Sequence, residues 1–191
     1  LKKMGFKKIY GFDTDIKIMK NFKKEKNLNF FCNNFDNFDK NNKIKNFKFN
    51  YVFLHGVLEH SYDPCKLMNK IKNIIEKNTK VFILVPNGET LQMDFLKAYN
   101  WTSFAPFHRT LFSAKGLKIF LKKLKFKKIK FIEDKTKSWG WTRGISWKLK
   151  QEKDYIKLRK SKKFRTFDFL IDNLLEDISI NMKKTPFLFL Q

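Results

Sequence analysis

Cysteine is nearly missing from this sequence. Cys32 and Cys65 are the whole complement, too few for a disulfide framework and without the spacing of a cysteine zinc site. No run approaches the ~18 apolar residues of a membrane-spanning helix. No signal peptide is read at the start, so the expected localisation is cytoplasmic. Alanine occurs only at Ala98, Ala105 and Ala114, and arginine only at Arg109, Arg143, Arg159 and Arg165. The formal net charge of +24 is therefore almost entirely lysine. A charge of that size ordinarily points to nucleic acid or an anionic membrane. Bidentate phosphate recognition favours arginine, however, and arginine is what the chain lacks. Heavy use of Lys, Asn, Phe and Ile beside scarce Ala, Arg, Gly and Pro reads as an AT-rich coding bias. A solvated lysine surface is expected, and nucleic acid is not the expected partner.

What is present is a chain of 191 residues. That suits one domain with an appended segment, and it is long enough to bury a core. The stretch KKIYGFD (7–13) reads as a short buried strand ending in an acid. Residues 14–27 follow as a helix, with Thr14 at its start and Ile16, Met19 and Phe22 at helical spacing. LNFFC (28–32) is a second strand. The Asn/Lys/Phe-rich stretch 33–50 reads mostly as loop. NYVFLH (50–55) is a third strand. Residues 63–77 form a helix: Asp63 can cap it, Pro64 suits its first turn, and Leu67, Ile71, Ile74 and Ile75 make one stripe. KVFILVPN (80–87) is a continuous apolar run, as in a fully buried strand. Strands alternating with helices predict a doubly wound α/β sheet.

The texture then changes. Residues 88–112 read as irregular. Residues 113–126 form an amphipathic helix capped by Ser113, and 127–134 another strand. Trp/Gly-rich 138–147 reads as a turn with extended arms. Residues 164–180 set Phe167, Leu170, Ile171, Leu174, Leu175 and Ile178 on one helical face, and 185–191 suits a last strand. The division expected is a core over 1–133, with an insertion at 88–112, and a C-terminal extension over 134–191. The helix of that extension either covers the sheet or lies on a membrane; cover is the ordinary use of such a stripe.

In an open α/β sheet, ligands bind outside the carboxyl ends of the strands. Asp13 ends the first strand, where an acid can accept hydrogen bonds from both hydroxyls of a ribose, or else cap the next helix. Asn34 and Phe35 follow the second strand; an amide there can read an adenine edge and an aromatic ring can pack on its face. His55 and Gly56 end the third strand, and glycine permits close backbone approach. The loop HGVLEH then adds Glu59 and His60.

These placements resemble the class I S-adenosylmethionine-dependent methyltransferases, of small-molecule type. GFKKIYGFDTD (5–15) looks like that family's second strand and ribose-binding acid. The segment 49–87 looks like its fourth strand, a VLEH turn followed by DP, a helix, and a fifth strand ending in VPN. Residues 101–126 look like its Trp, Pro-x-His and Phe-Ser pattern followed by a helix, although Lys125-Phe126 stands where the subgroup has glycine-phenylalanine. The resemblance implies a Rossmann-like doubly wound sheet of the class I methyltransferase type. The family's first strand and glycine-rich loop should lie just before Leu1, so the chain is expected to be an N-terminally truncated fragment, inactive by itself.

By the same resemblance the cofactor is S-adenosyl-L-methionine. Asp13 would hold its ribose, Asn34 and Phe35 its adenine end, and His55 and Gly56 would sit beside its methionine part. The acceptor would be a small molecule, a sugar or another hydroxyl-bearing metabolite. An alcohol needs a base, and histidine suits that role near neutral pH. His108 and His60 are the candidates. His60 can instead orient its loop with Glu59 as partner, and His108 can instead order the insertion. Glu59 reads as a hydrogen-bonding strut, and no metal site is expected. Trp101, Trp139 and Trp141 could line a substrate platform, or anchor core and loops. The rival readings are a decayed Rossmann-like binding domain and an RNA-binding or RNA-methylating protein.

Overall fold

The computed structural model describes residues 5–17, 20, 28–32, 34–40, 44, 47–100, 107–133, 145–146, 149, 152–158, 160–181 and 187–190. Contacts divide the chain into two compact units, Leu1–Asn50 with Ser61–Asn78, and Tyr51–His60 with Thr79–Gln191.

In the first unit, β1 (Ile9–Asp13) and β2 (Leu28–Cys32) pair in parallel, with Ile9 opposite Leu28 and Asp13 opposite Cys32. A parallel pair needs a long crossover, which residues 14–27 supply; of these, 16, 17 and 20 are described and helical. An aromatic cluster packs this pair. Tyr10 meets Phe47 and Phe49 at 5.3 and 5.4 Å between centroids, and Phe12 meets Phe31 at 5.2 Å. The stretch expected as loop over 33–50 holds a 3₁₀ helix, Phe35–Lys40. The Asn34 side chain starts it, accepting from the Asp36 N–H at 2.9 Å. Phe38, 5% exposed, anchors it. Ser61 Oγ donates to Asp36 Oδ1 at 2.8 Å, and Lys70 Nζ donates to the Asp36 carbonyl.

Helix α1 (Pro64–Asn73) begins as its sequence dictates. Asp63 Oδ1 accepts from the Lys66 N–H at 2.9 Å, and Pro64 fills the first turn, where its missing N–H costs nothing. Leu67, Met68 and Ile71 are its buried face. The helix expected as far as 77 stops at Asn73. The next two residues, Ile74 and Ile75, are both β-branched and stiff, and the Ile74 carbonyl accepts from the Phe49 N–H, a bond outside the helix ladder. Residues 75–77 therefore join the following strand.

That strand, β4 (Ile75–Pro86), neighbours β3 (Phe49–His55) in a four-stranded sheet. Its order continues through β6 (Phe187–Leu190) to β5 (Phe131–Glu133), with β6 antiparallel to both its neighbours. In the second unit the buried residues include Leu54, Leu58, Ile83, Val85, Leu96, Phe112, Leu117 and Leu121. Each such side chain contributes about 1.5–3 kcal/mol by leaving water. The segment expected as irregular over 88–112 contains α2 (Leu91–Leu96), capped by the Thr90 side chain at 3.0 Å, and a 3₁₀ turn, Lys97–Tyr99. Helix α3 (Ala114–Lys123) is capped by Ser113, as expected. Of the strand expected over 127–134, Phe131–Glu133 are extended and 127–130 are not.

Helices α4 (Glu152–Leu158) and α5 (Lys162–Asn181) follow. On α5, Ile171 and Leu175 of the expected apolar stripe are half-buried. Leu170 and Leu174 are exposed, whereas Asp168 and Asp172 are buried. The covered side runs along 168 and 172, one helical turn apart. Trp101, Trp139 and Trp141, and nearly all of 138–147, lie outside the described residues. Among the described residues no helix is long and apolar enough to cross a membrane.

Candidate functional site

The loop after β3 is built by three local forces. His55 ends the strand, and the Gly56 N–H donates to the Leu84 carbonyl of β4 at 3.0 Å. Gly56 has φ +61°, a left-handed backbone that side-chain-bearing residues rarely take. Its role is therefore this turn: a Cβ here would meet nothing nearer than Glu59 Oε1 at 3.7 Å. The chain then winds into a 3₁₀ turn, Leu58–His60, with Leu58 fully buried. Burial of Leu58 takes its neighbour down too, and Glu59 is only 2% exposed.

The segment carrying His108 is stitched to this turn. The Glu59 carbonyl accepts from the Arg109 N–H at 2.8 Å and from the Thr110 N–H at 3.2 Å. His60 Nδ1 lies 2.6 Å from the Phe107 carbonyl. A carbonyl oxygen only accepts, so Nδ1 carries the proton, and in the neutral ring Nε2 keeps its lone pair. Phe107 thus takes the orienting role expected of Glu59. The rings of His60 and His108 lie 4.7 Å apart, tilted by 58°. One ligand-capable atom from each of Glu59, His60 and His108 lies within 4.8 Å of the other two.

Glu59 Oε2 is buried without a hydrogen-bond partner. Burial pushes the Glu59 carboxyl above the usual carboxylate range, against the opposing pull of its own backbone N–H and of His60, His108 and His55. The arrangement is a buried acid beneath two half-buried imidazoles. It can move a proton or hold a cation. The sequence reads Glu59 as a hydrogen-bonding strut; its burial beside His60 and His108 comes from the tertiary structure.

The remaining candidates lie elsewhere in their own units. The β1–β2 register places Asp13 opposite Cys32, so Asp13 and the Asn34-Phe35 pair occupy the same carboxyl end of the parallel pair. Asp13 Oδ1 accepts from the Asp15 N–H at 2.9 Å, and Asp15 in turn accepts from the Lys17 N–H at 2.8 Å. The local turn thus uses one of the two oxygens of the Asp13 carboxylate. Asn34 is exposed and Phe35 half-buried. His55, at the end of β3, is exposed.

A family model described as a methyltransferase domain matches residues 1–130. No curated protein matches the chain. Among solved structures, a SAM-dependent methyltransferase from Archaeoglobus fulgidus is 20% identical, with a TM-score of 0.52 over 79% of this chain and 71% of that one. The plantazolicin methyltransferase BamL, solved with a triazolic desmethylPZN analog and SAH, is 14% identical, with a TM-score of 0.54 over 96% of this chain and 66% of its own. The YcgJ protein from Bacillus subtilis is 14% identical, with a TM-score of 0.52 over 96% and 79%. At these identities the likeness is one of fold: the mixed α/β arrangement is the Rossmann-like one of class I methyltransferases.

Proposed function

The chain belongs to the methyltransferase domain family, and from that premise we propose that it transfers the methyl group of S-adenosylmethionine to a hydroxyl on a small molecule, a sugar or similar metabolite. The observation that carries the acceptor class is the gathering of His60 and His108 over Glu59 at the carboxyl end of β3. When bound, S-adenosylmethionine supplies a sulfonium-activated methyl group, and SAH is what remains once that methyl has left. BamL, a neighbour in fold, was solved with SAH.

The residues at the strand ends suit such a cofactor. Asp13 would accept from ribose hydroxyls with the carboxylate oxygen not used by the Asp15 N–H. Asn34 and Phe35, at the same end of the pair, would meet the adenine. The strand end at His55 and Gly56 would face the methionine portion. At the reacting end an alcohol must lose its proton as the new O–C bond forms. His108 would take it on a ring nitrogen, with His60 held in place by Phe107 beside it.

The test is calorimetric titration of the full-length protein with S-adenosylmethionine, followed by an assay for SAH release against a panel of hydroxyl-bearing metabolites. Micromolar binding and SAH release with at least one acceptor are expected. A folded protein that binds no S-adenosylmethionine would instead be a decayed member of its family. Turnover on RNA alone would transfer the reading to nucleic acid.

A further inference from the structure

Proton transfer alone leaves one feature of the β3 loop unexplained. Glu59 is 98% buried, and its Oε2 has no hydrogen-bond partner. A carboxylate taken out of water without a partner is among the costliest arrangements a fold can hold. Two imidazoles lie against it, with one ligand-capable atom of Glu59, His60 and His108 each within 4.8 Å of the others. His60 is also oriented as metal-bound histidines are. Its Nδ1 proton is spent on the backbone carbonyl of Phe107, which leaves Nε2 as the donor atom.

We propose that Glu59, His60 and His108 bind one divalent transition-metal cation, zinc being the best fit. The donor set decides the class of ion. Two imidazoles and one carboxylate are borderline donors that suit zinc, whereas magnesium and calcium take oxygen ligands almost exclusively. Three protein ligands among the described residues leave a coordination position open, as in catalytic zinc sites. Zinc bonds of about 2.0–2.2 Å set tetrahedral ligand atoms about 3.4 Å apart, so rotamer adjustment must draw the three side chains inward from their present separation. The cation compensates the buried carboxylate and gives the unpartnered oxygen an occupant.

The consequence for catalysis rests on the methyl-transfer reading above. The open position would take the acceptor's hydroxyl oxygen. Ligation makes that hydroxyl more acidic, its proton leaving to solvent as the methyl arrives. His108 would then act as a ligand, and the proton-accepting role would pass from its ring to water.

Zinc has two competing ligands in this chain, the exposed thiols of Cys32 and Cys65. The experiment therefore uses tag-free full chain carrying Cys32→Ser and Cys65→Ser, stripped with a chelator. It is titrated with Zn²⁺ and Mg²⁺ by calorimetry and with Co²⁺ by visible absorption. One Zn²⁺ per chain, far weaker Mg²⁺ and ligand-field bands from Co²⁺ are expected. His108→Ala and Glu59→Gln should each weaken Zn²⁺ binding by about 100-fold or more, the upper end of what losing a mere outer-shell partner costs. Cooperative melting of each variant in chelator shows that the fold survives. Zinc affinity unchanged in both variants, or no zinc uptake by the folded parent, would overturn the proposal. S-adenosylmethionine affinity, measured on the same samples, separates the two readings. Zinc without cofactor binding keeps the cation site and removes methyl transfer; the reverse keeps methyl transfer and removes the cation.

Discussion

The Nδ1–H of His60 donates to the carbonyl of Phe107 at 2.6 Å, and Phe107 is the residue immediately before His108. One hydrogen bond thus fixes the tautomer of the first histidine and the position of the second. Histidines distant in sequence become two halves of one chemical group.

In the full-length enzyme, His108→Ala is expected to lower turnover by about 10²–10⁴-fold, the usual worth of a positioned acid–base group, while cofactor affinity hardly moves. Steady-state kinetics and calorimetry on the same preparation give both quantities. An equal fall in both would mean that His108 orders the site rather than acting at the acceptor.

Asp13→Ala should weaken S-adenosylmethionine binding by about 1–3 kcal/mol, because ribose hydroxyls would lose a charged acceptor. The Asp15 N–H also loses its partner in this variant. Thermal melting without cofactor measures that structural share. An affinity equal to the parent's would take Asp13 out of the cofactor site.

Gly56→Ala is expected to cost about 1–2 kcal/mol of stability through its left-handed backbone. Gly56→Asn should cost less, since asparagine tolerates that region. Denaturant unfolding of both variants makes the comparison. Equal losses would point to crowding instead, although a Cβ would find only Glu59 Oε1 at 3.7 Å.

Gly11 faces a different constraint. A Cβ on it would stand 2.6 Å from the Phe30 ring across the β1–β2 pair. Gly11→Ala should therefore cost about 1–3 kcal/mol, the range for overpacking a core. Adding Phe30→Leu should recover part of the loss in the same unfolding experiment. A double variant no more stable than Gly11→Ala would show that the glycine answers to something other than that ring.

Much of the local structure was legible because its causes are local. Asp63 and Pro64 begin α1, and Ser113 begins α3, through side chains that cap their own helix three residues on. The strand ends at Asp13 and His55 could be read from apolar runs stopping at polar residues. What failed to read had causes farther away. Helix α1 ends early where Ile74 bonds to Phe49, a strand distant in sequence. Helix α5 buries Asp168 and Asp172 and half-buries Ile171 and Leu175 while Leu170 and Leu174 stay exposed, and helical spacing alone describes a stripe without saying how far around it the cover reaches.

The candidate site divides in the same way. The residues between His55 and His60 determined by themselves that a turn with an acid and a base follows β3, since a glycine, a buried leucine and a short 3₁₀ turn are enough to make it. Tertiary structure alone decided that His108 joins them, and that Glu59 is buried beneath both. Backbone hydrogen bonds from Arg109 and Thr110 to the Glu59 carbonyl do the joining. Backbone groups are the same in every residue, so no pattern of side chains along the chain announces which of them will meet.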